Sequence, residues 1–148
     1  MDIKKNVVAA AISLLTLGIF GVAGAATPSS YTTFVDMNIL YTGAIIDCRG
    51  LGLSTAMSPV IEDTMGRKVY GHLFIDPDAI VDRGMVGYAV GFDDAALARA
   101  GSNPIVLKAL ALRNHGVNPV IDLADATIVK YSIARNNYFR NAAVVFVR

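Results

Sequence analysis

The sequence predicts an α+β fold: a mainly antiparallel or mixed sheet with about three helices packed on it. Three observations carry this reading. Pro59–Tyr70 and Ile105–Leu123 each hold two apolar runs separated by turn-forming residues, the pattern of a β-hairpin. Two other stretches carry helix start and stop signals, and a third has apolar residues at helical spacing. The last run, Ala142–Val147, is apolar and alternates little, as expected for a buried strand. Helices interspersed among such strands must cover a sheet face.

The first residues do not belong to that fold. Met1-Asp2-Ile3-Lys4-Lys5 is short and net positive, Val7 to Val22 is almost wholly apolar, and Ala23-Gly24-Ala25-Ala26 offers small residues for cleavage. This is the pattern of a secretory signal peptide, expected over residues 1–25 with cleavage after Ala25. Its apolar run is shorter than the ~20 residues a bilayer span needs. No stable membrane span is therefore expected after cleavage. The residue after the cleavage site is Ala26 rather than a lipidation cysteine, because Cys48 is the only cysteine. The expected compartment is the periplasm, the outer-membrane periphery or the extracellular space.

Losing Lys4 and Lys5 takes thirteen basic residues to eleven, and losing Asp2 takes twelve acidic residues to eleven. A formally neutral domain lacks the basic footprint of a nucleic-acid binder. The remaining chain is long enough for one core without staples. A lone thiol cannot form an internal disulfide, and Cys48 follows the apolar run Ala44-Ile45-Ile46, so burial is expected.

Residues 26–36 read as a flexible mature N-terminus, and 37–148 as one α+β domain. Met37–Asp47 has strand composition. Asp63-Thr64-Met65-Gly66 is the turn of the first hairpin, where Gly66 supplies positive φ. Asp76 is an expected helix cap with Pro77 at the first helical position, and Gly84 is the stop. Met85–Val90 is a strand. Asp93 or Asp94 starts a helix over Ala95–Ala100, closed by Gly101. Ile105–Arg113 and Val120–Leu123 flank the turn Asn114–Asn118. Ala124 to about Tyr138 is the longest expected helix.

Chemical motifs are sparse. Gly50-Leu51-Gly52 follows a strand, but the third position of a dinucleotide loop is Thr55, and Pro59 interrupts any following helix. Ser54 lacks the glycine of a nucleophile elbow. His72 and His115 are the only histidines and lie far apart, without metal-ligand spacing. Asp47, Glu62, Asp63, Asp76, Asp78 and Asp82 are candidate carboxylates. Duller roles suit several of them: Asp63 in a turn, Asp76 at a cap, Asp78 and Asp82 on a solvated helix face. Asp47 and Arg49 share one strand face beside an apolar run. An internal ion pair locking the bend at Gly50 and Gly52 is the expected role, with Arg suited to bidentate contact. No catalytic, cofactor or metal residues are assigned.

The run Tyr41-Thr42-Gly43-Ala44-Ile45-Ile46-Asp47-Cys48-Arg49-Gly50-Leu51-Gly52-Leu53 continues through Ala56-Met57-Ser58-Pro59 to Val69-Tyr70-Gly71. It resembles poorly characterised bacterial envelope proteins similar to small outer-membrane lipoproteins related to flagellar outer-membrane accessory proteins. Gly84–Tyr88, Pro104–Ala109, Asp125-Ala126 and the last strand are also similar. The resemblance implies an envelope component without established enzymatic activity; some relatives assemble around the flagellar motor. This chain lacks their lipidation cysteine and the helical region that often precedes the segment, and Cys48 stands where alanine is expected. The leading expectation is a non-enzymatic envelope domain that binds an envelope protein or self-associates. The alternative is a small ligand-binding protein or hydrolase using Asp47, Arg49 and His72.

Overall fold

The computed structural model describes residues 30–148; the expected signal peptide lies outside the described residues. The strands are β1 (Gly43–Asp47), β2 (Ile61–Asp63), β3 (Lys68–Tyr70), β4 (Gly87–Ala89), β5 (Pro104–Lys108), β6 (Ala111–Arg113), β7 (Asn118–Ile121) and β8 (Val144–Val147). The α-helices are α1 (Pro77–Arg83) and α2 (Leu123–Ile133), and 3-10 turns span His72–Phe74 and Ala95–Ala100.

The α+β expectation holds, but the sheet is not single. One sheet has the order β4-β8-β1-β5 and the other β3-β2-β7-β6. The first is parallel throughout, which corrects the expectation of a mainly antiparallel or mixed arrangement. The second is mixed: β2–β3 and β6–β7 are the expected antiparallel hairpins, and β2–β7 is parallel. Parallel strands leave no tight turn in the sequence, so their pairing cannot be read locally.

The parallel sheet has an apolar layer on both faces, which is why β1 and β8 are buried at every position. Ala44, Ile46, Cys48, Ile105, Leu107, Val144 and Phe146 point into the larger core, with Ile61, Tyr70, Ile121, Val129 and Phe139. Ile45, Ala89, Val145 and Val147 face the other way and pack with Ala100, Phe92 and Leu97. Gly43 lies where the 3-10 turn crosses closely: a Cβ there would come within 2.4 Å of the Ala100 carbonyl oxygen.

Several elements differ from expectation for local reasons. The strand expected over Met37–Asp47 begins only at Gly43, because Asp36 makes a turn, accepting from the Asn38 amide at 2.8 Å and the Ile39 amide at 3.1 Å. The run Ile105–Arg113 is two strands, not one. The Ala109 amide bonds the Asp47 carbonyl in one sheet and the Leu110 amide bonds the Val120 carbonyl in the other, so the chain changes sheets between them. Helix α2 stops at Ile133 rather than near Tyr138; the Tyr138 ring is buried instead, its hydroxyl 2.7 Å from Ser132 Oγ. The expected helix at Ala95–Ala100 is a 3-10 turn, capped by Asp94. Part of the expected flexible segment is tied down: the Thr32 amide bonds the Val106 carbonyl at 2.8 Å along the edge of β5.

Candidate functional site

Asp47 ends β1, and its side chain lies on the Ile45 face of the parallel sheet. It is 4% exposed. Arg49 grips it bidentately, Nε to Oδ1 at 2.9 Å and Nη2 to Oδ2 at 3.0 Å. The Arg49 amide donates to Oδ1 at 3.1 Å and the Tyr31 hydroxyl to Oδ2 at 2.6 Å. The guanidinium lies 4.8 Å from the centre of the Phe92 ring. Burial raises the Asp47 pKa, but the bonds from Arg49 and Tyr31 outweigh it and hold the carboxyl below its usual range. The hydrogen bond to Asp47 raises the Tyr31 phenol in turn.

This geometry suits a clamp better than a catalytic group. A carboxylate has about four lone-pair sites, and four donors already reach this one. The clamp sets the bend after β1. The Leu51 amide closes a turn onto the Cys48 carbonyl at 3.2 Å, with Gly50 at φ 79° and Gly52 at φ 76°. Positive φ at these two positions favours glycine. Cys48 is buried among apolar groups, and burial pushes its thiol up to about 12.

His72 is not brought to the clamp. It is exposed on the first 3-10 turn and lines a shallow depression with Val60, Lys68, Gly71, Leu73 and Phe74. His115 is exposed in the β6–β7 turn at φ 56°. Asp63 is in its expected turn, accepting from the Met65 and Arg67 amides and pairing with Arg67 Nε at 2.7 Å. Glu62 pairs with Arg113 at 2.9 Å. Asp76 occupies the capping position of α1 without capping it; its carboxylate pairs with Arg140 at 2.8 Å instead. Asp78 and Asp82 are exposed on α1. Among the described residues no group of three or more His, Cys, Asp or Glu side chains is placed to hold a metal ion. No helix among them is long and apolar enough to cross a membrane.

Two features had no sequence signal. Arg99 donates to the Ala142 carbonyl at 2.8 Å, the Arg83 carbonyl at 2.5 Å and the Gly84 carbonyl at 2.5 Å. It thereby closes the C-terminus of α1 and ties it to the chain entering β8. The other is a groove of about 290 Å³ between β3 and α2. Val69, Phe74, Ala126, Val129 and Ile133 supply its apolar wall, and Asp63, Arg67, Lys68 and Lys130 its polar lining. Beside it the 3-10 turn leaves Leu73 80% exposed and Phe74 40% exposed. The turn is too short to bury three consecutive side chains, so His72-Leu73-Phe74 stands out as a ridge, with Phe74 seated edge-on against Phe139.

Two sheets, one parallel and one mixed, around a shared apolar core define a small α+β domain. A family model, Treponema pallidum Tp0624, second domain, matches residues 43–148, and the chain belongs to that family. The match takes in every strand, the clamp residues Asp47 and Arg49, and the groove. No curated protein matches the chain.

Proposed function

We propose that this domain is a non-enzymatic module of the bacterial envelope that binds a protein partner. The observation that carries the reading is the Leu73–Phe74 ridge beside the groove between β3 and α2. Exposed apolar side chains scattered singly are ordinary, but adjacent ones bordering an apolar groove mark an interaction surface. Four of the six candidate carboxylates are engaged in ion pairs, Asp47 by Arg49, Glu62 by Arg113, Asp63 by Arg67 and Asp76 by Arg140, and the other two, Asp78 and Asp82, are exposed on α1. Export rests on the leader sequence. The resemblance of the Tyr41–Leu53 segment to envelope proteins makes outer-membrane assemblies, including those around the flagellar motor, the first place to seek the partner.

Photo-crosslinking tests this. A photoreactive residue at position 73 should give a discrete adduct with another protein in intact cells, while one at His115, exposed on the β6–β7 turn and not among the residues lining the groove, should not. A homodimer adduct at position 73 would identify the partner as a second copy. No adduct at 73, or equal labelling from both positions, would overturn the reading.

A further inference from the structure

We infer that the groove between β3 and α2 takes an acidic segment of the partner, anchored by large apolar side chains. This rests on the partner-binding reading above and names the chemistry of the partner. The groove joins two properties that together select a ligand. Its wall is apolar: Val69 and Ile133 are half-buried, Val129 is buried and Phe74 is partly exposed. Its exposed polar residues are all basic, with Lys68 at one side, Lys130 at the other and Arg67 beside them. Asp63 also lines it, but that carboxylate is buried and held by Arg67 and two backbone amides. The charge presented to an incoming chain is therefore positive, although the domain as a whole is formally neutral.

An acidic peptide with Phe or Leu anchors complements both properties. The anchors displace water from the wall, and flanking carboxylates meet the lysines from either side. A basic peptide with the same anchors meets like charge, which supplies discrimination. A neutral small molecule satisfies the wall but leaves the lysines uninvolved.

The test uses the processed chain and two synthetic peptides read by fluorescence anisotropy. One carries Phe and Leu at i and i+4 among glutamates; in the other every glutamate is lysine. The glutamate peptide should bind, and more weakly as salt is added, because the rim charges are exposed. The lysine peptide should bind at least about tenfold more weakly. Lys68→Glu with Lys130→Glu should reverse the preference, so that the lysine peptide becomes the tighter binder by up to about tenfold. Both lysines are exposed, and circular dichroism checks that the variant folds. Equal binding of the two peptides, binding of neither, or a double variant with unchanged preference would overturn the inference. If neither peptide binds while the position 73 adduct persists, the acidic specificity fails and the partner-binding reading stands. If both are absent, both fail.

Discussion

Replacing Arg49 by alanine should destabilise the domain by about 2 kcal/mol at neutral pH. The variant loses both guanidinium bonds to Asp47 and the stacking on Phe92, and leaves a nearly buried carboxylate with the Tyr31 hydroxyl and one backbone amide as donors. A fully buried pair broken on one side costs about 3–5 kcal/mol, and an exposed one about 0–1. The carboxylate is 4% exposed and the Arg49 side chain 33% exposed, so the pair falls between those limits. For a domain of this size, about 2 kcal/mol lowers Tm by roughly 8 °C. Asp47→Ala should cost somewhat less, because the Arg49 head can turn to water and keep the Phe92 contact, worth about 0.5–1 kcal/mol. The double variant should lose less than the sum, by about 1–2 kcal/mol of coupling. The folded-state pKa of Asp47 is lowered, so the pair's contribution is full above the unfolded value near ~4 and fades as pH falls through the lower folded value. Urea unfolding of the four proteins at pH 7 and pH 3 reads all of this. Additive, near-zero effects at pH 7, or coupling that grows on acidification, would refute the clamp.

Three further outcomes follow from other sites. Cys48, buried and with its thiol pushed up to about 12, should resist a thiol reagent until the domain unfolds; rapid labelling of the folded protein would contradict its placement. Arg99→Lys should destabilise by about 1–2 kcal/mol in denaturant titrations, since an ammonium cannot span three carbonyls as the planar fork does; unchanged stability would show the cluster to be incidental. Burial, with help from Asp122, lifts Asp125 to about 6, so its ionisation opposes folding as pH rises from about 4 through 6. Asp125→Asn should then stabilise the domain by up to about 1 kcal/mol at pH 8, after allowance for solvent screening and for the α2 N-terminus favouring the charge, and should be neutral at pH 4.

How far the chain could be read before its structure depended on how local each signal was. The β2–β3 turn was legible because Gly66 supplies φ 79°, and α1 because Pro77 opens it and Gly84 closes it at φ 70°. The β6–β7 turn at Asn114-His115-Gly116 was equally plain, with three consecutive positive φ values. The pairing of β1 with β5 and β8 was not legible, because these strands meet across long stretches of chain and carry similar apolar side chains. The sheet change at Ala109–Leu110 was hidden for a related reason: continuous strand composition cannot say which neighbour each half will bond. At the site, Asp47 and Arg49 stood out by their spacing, whereas Tyr31 and Phe92 reach them only through the fold. The groove was invisible, since its wall is assembled from β3, the 3-10 turn and α2. Asp76 shows the limit of a local rule: its position is that of a cap, but Arg140 competes for the carboxylate and wins.

Amine-reactive cross-linking in intact cells, followed by mass spectrometry of the joined peptides, tests the central claim most directly. Among the described residues the lysines are Lys68, Lys108 and Lys130. Lys68 and Lys130 flank the groove; Lys108, at the end of β5, is not among its lining residues. The account predicts links from Lys68 and Lys130 to another protein chain, lost when Leu73 and Phe74 are both replaced by serine, with Lys108 linked weakly or not at all. Links concentrated at Lys108, or unaffected by loss of the ridge, would contradict it.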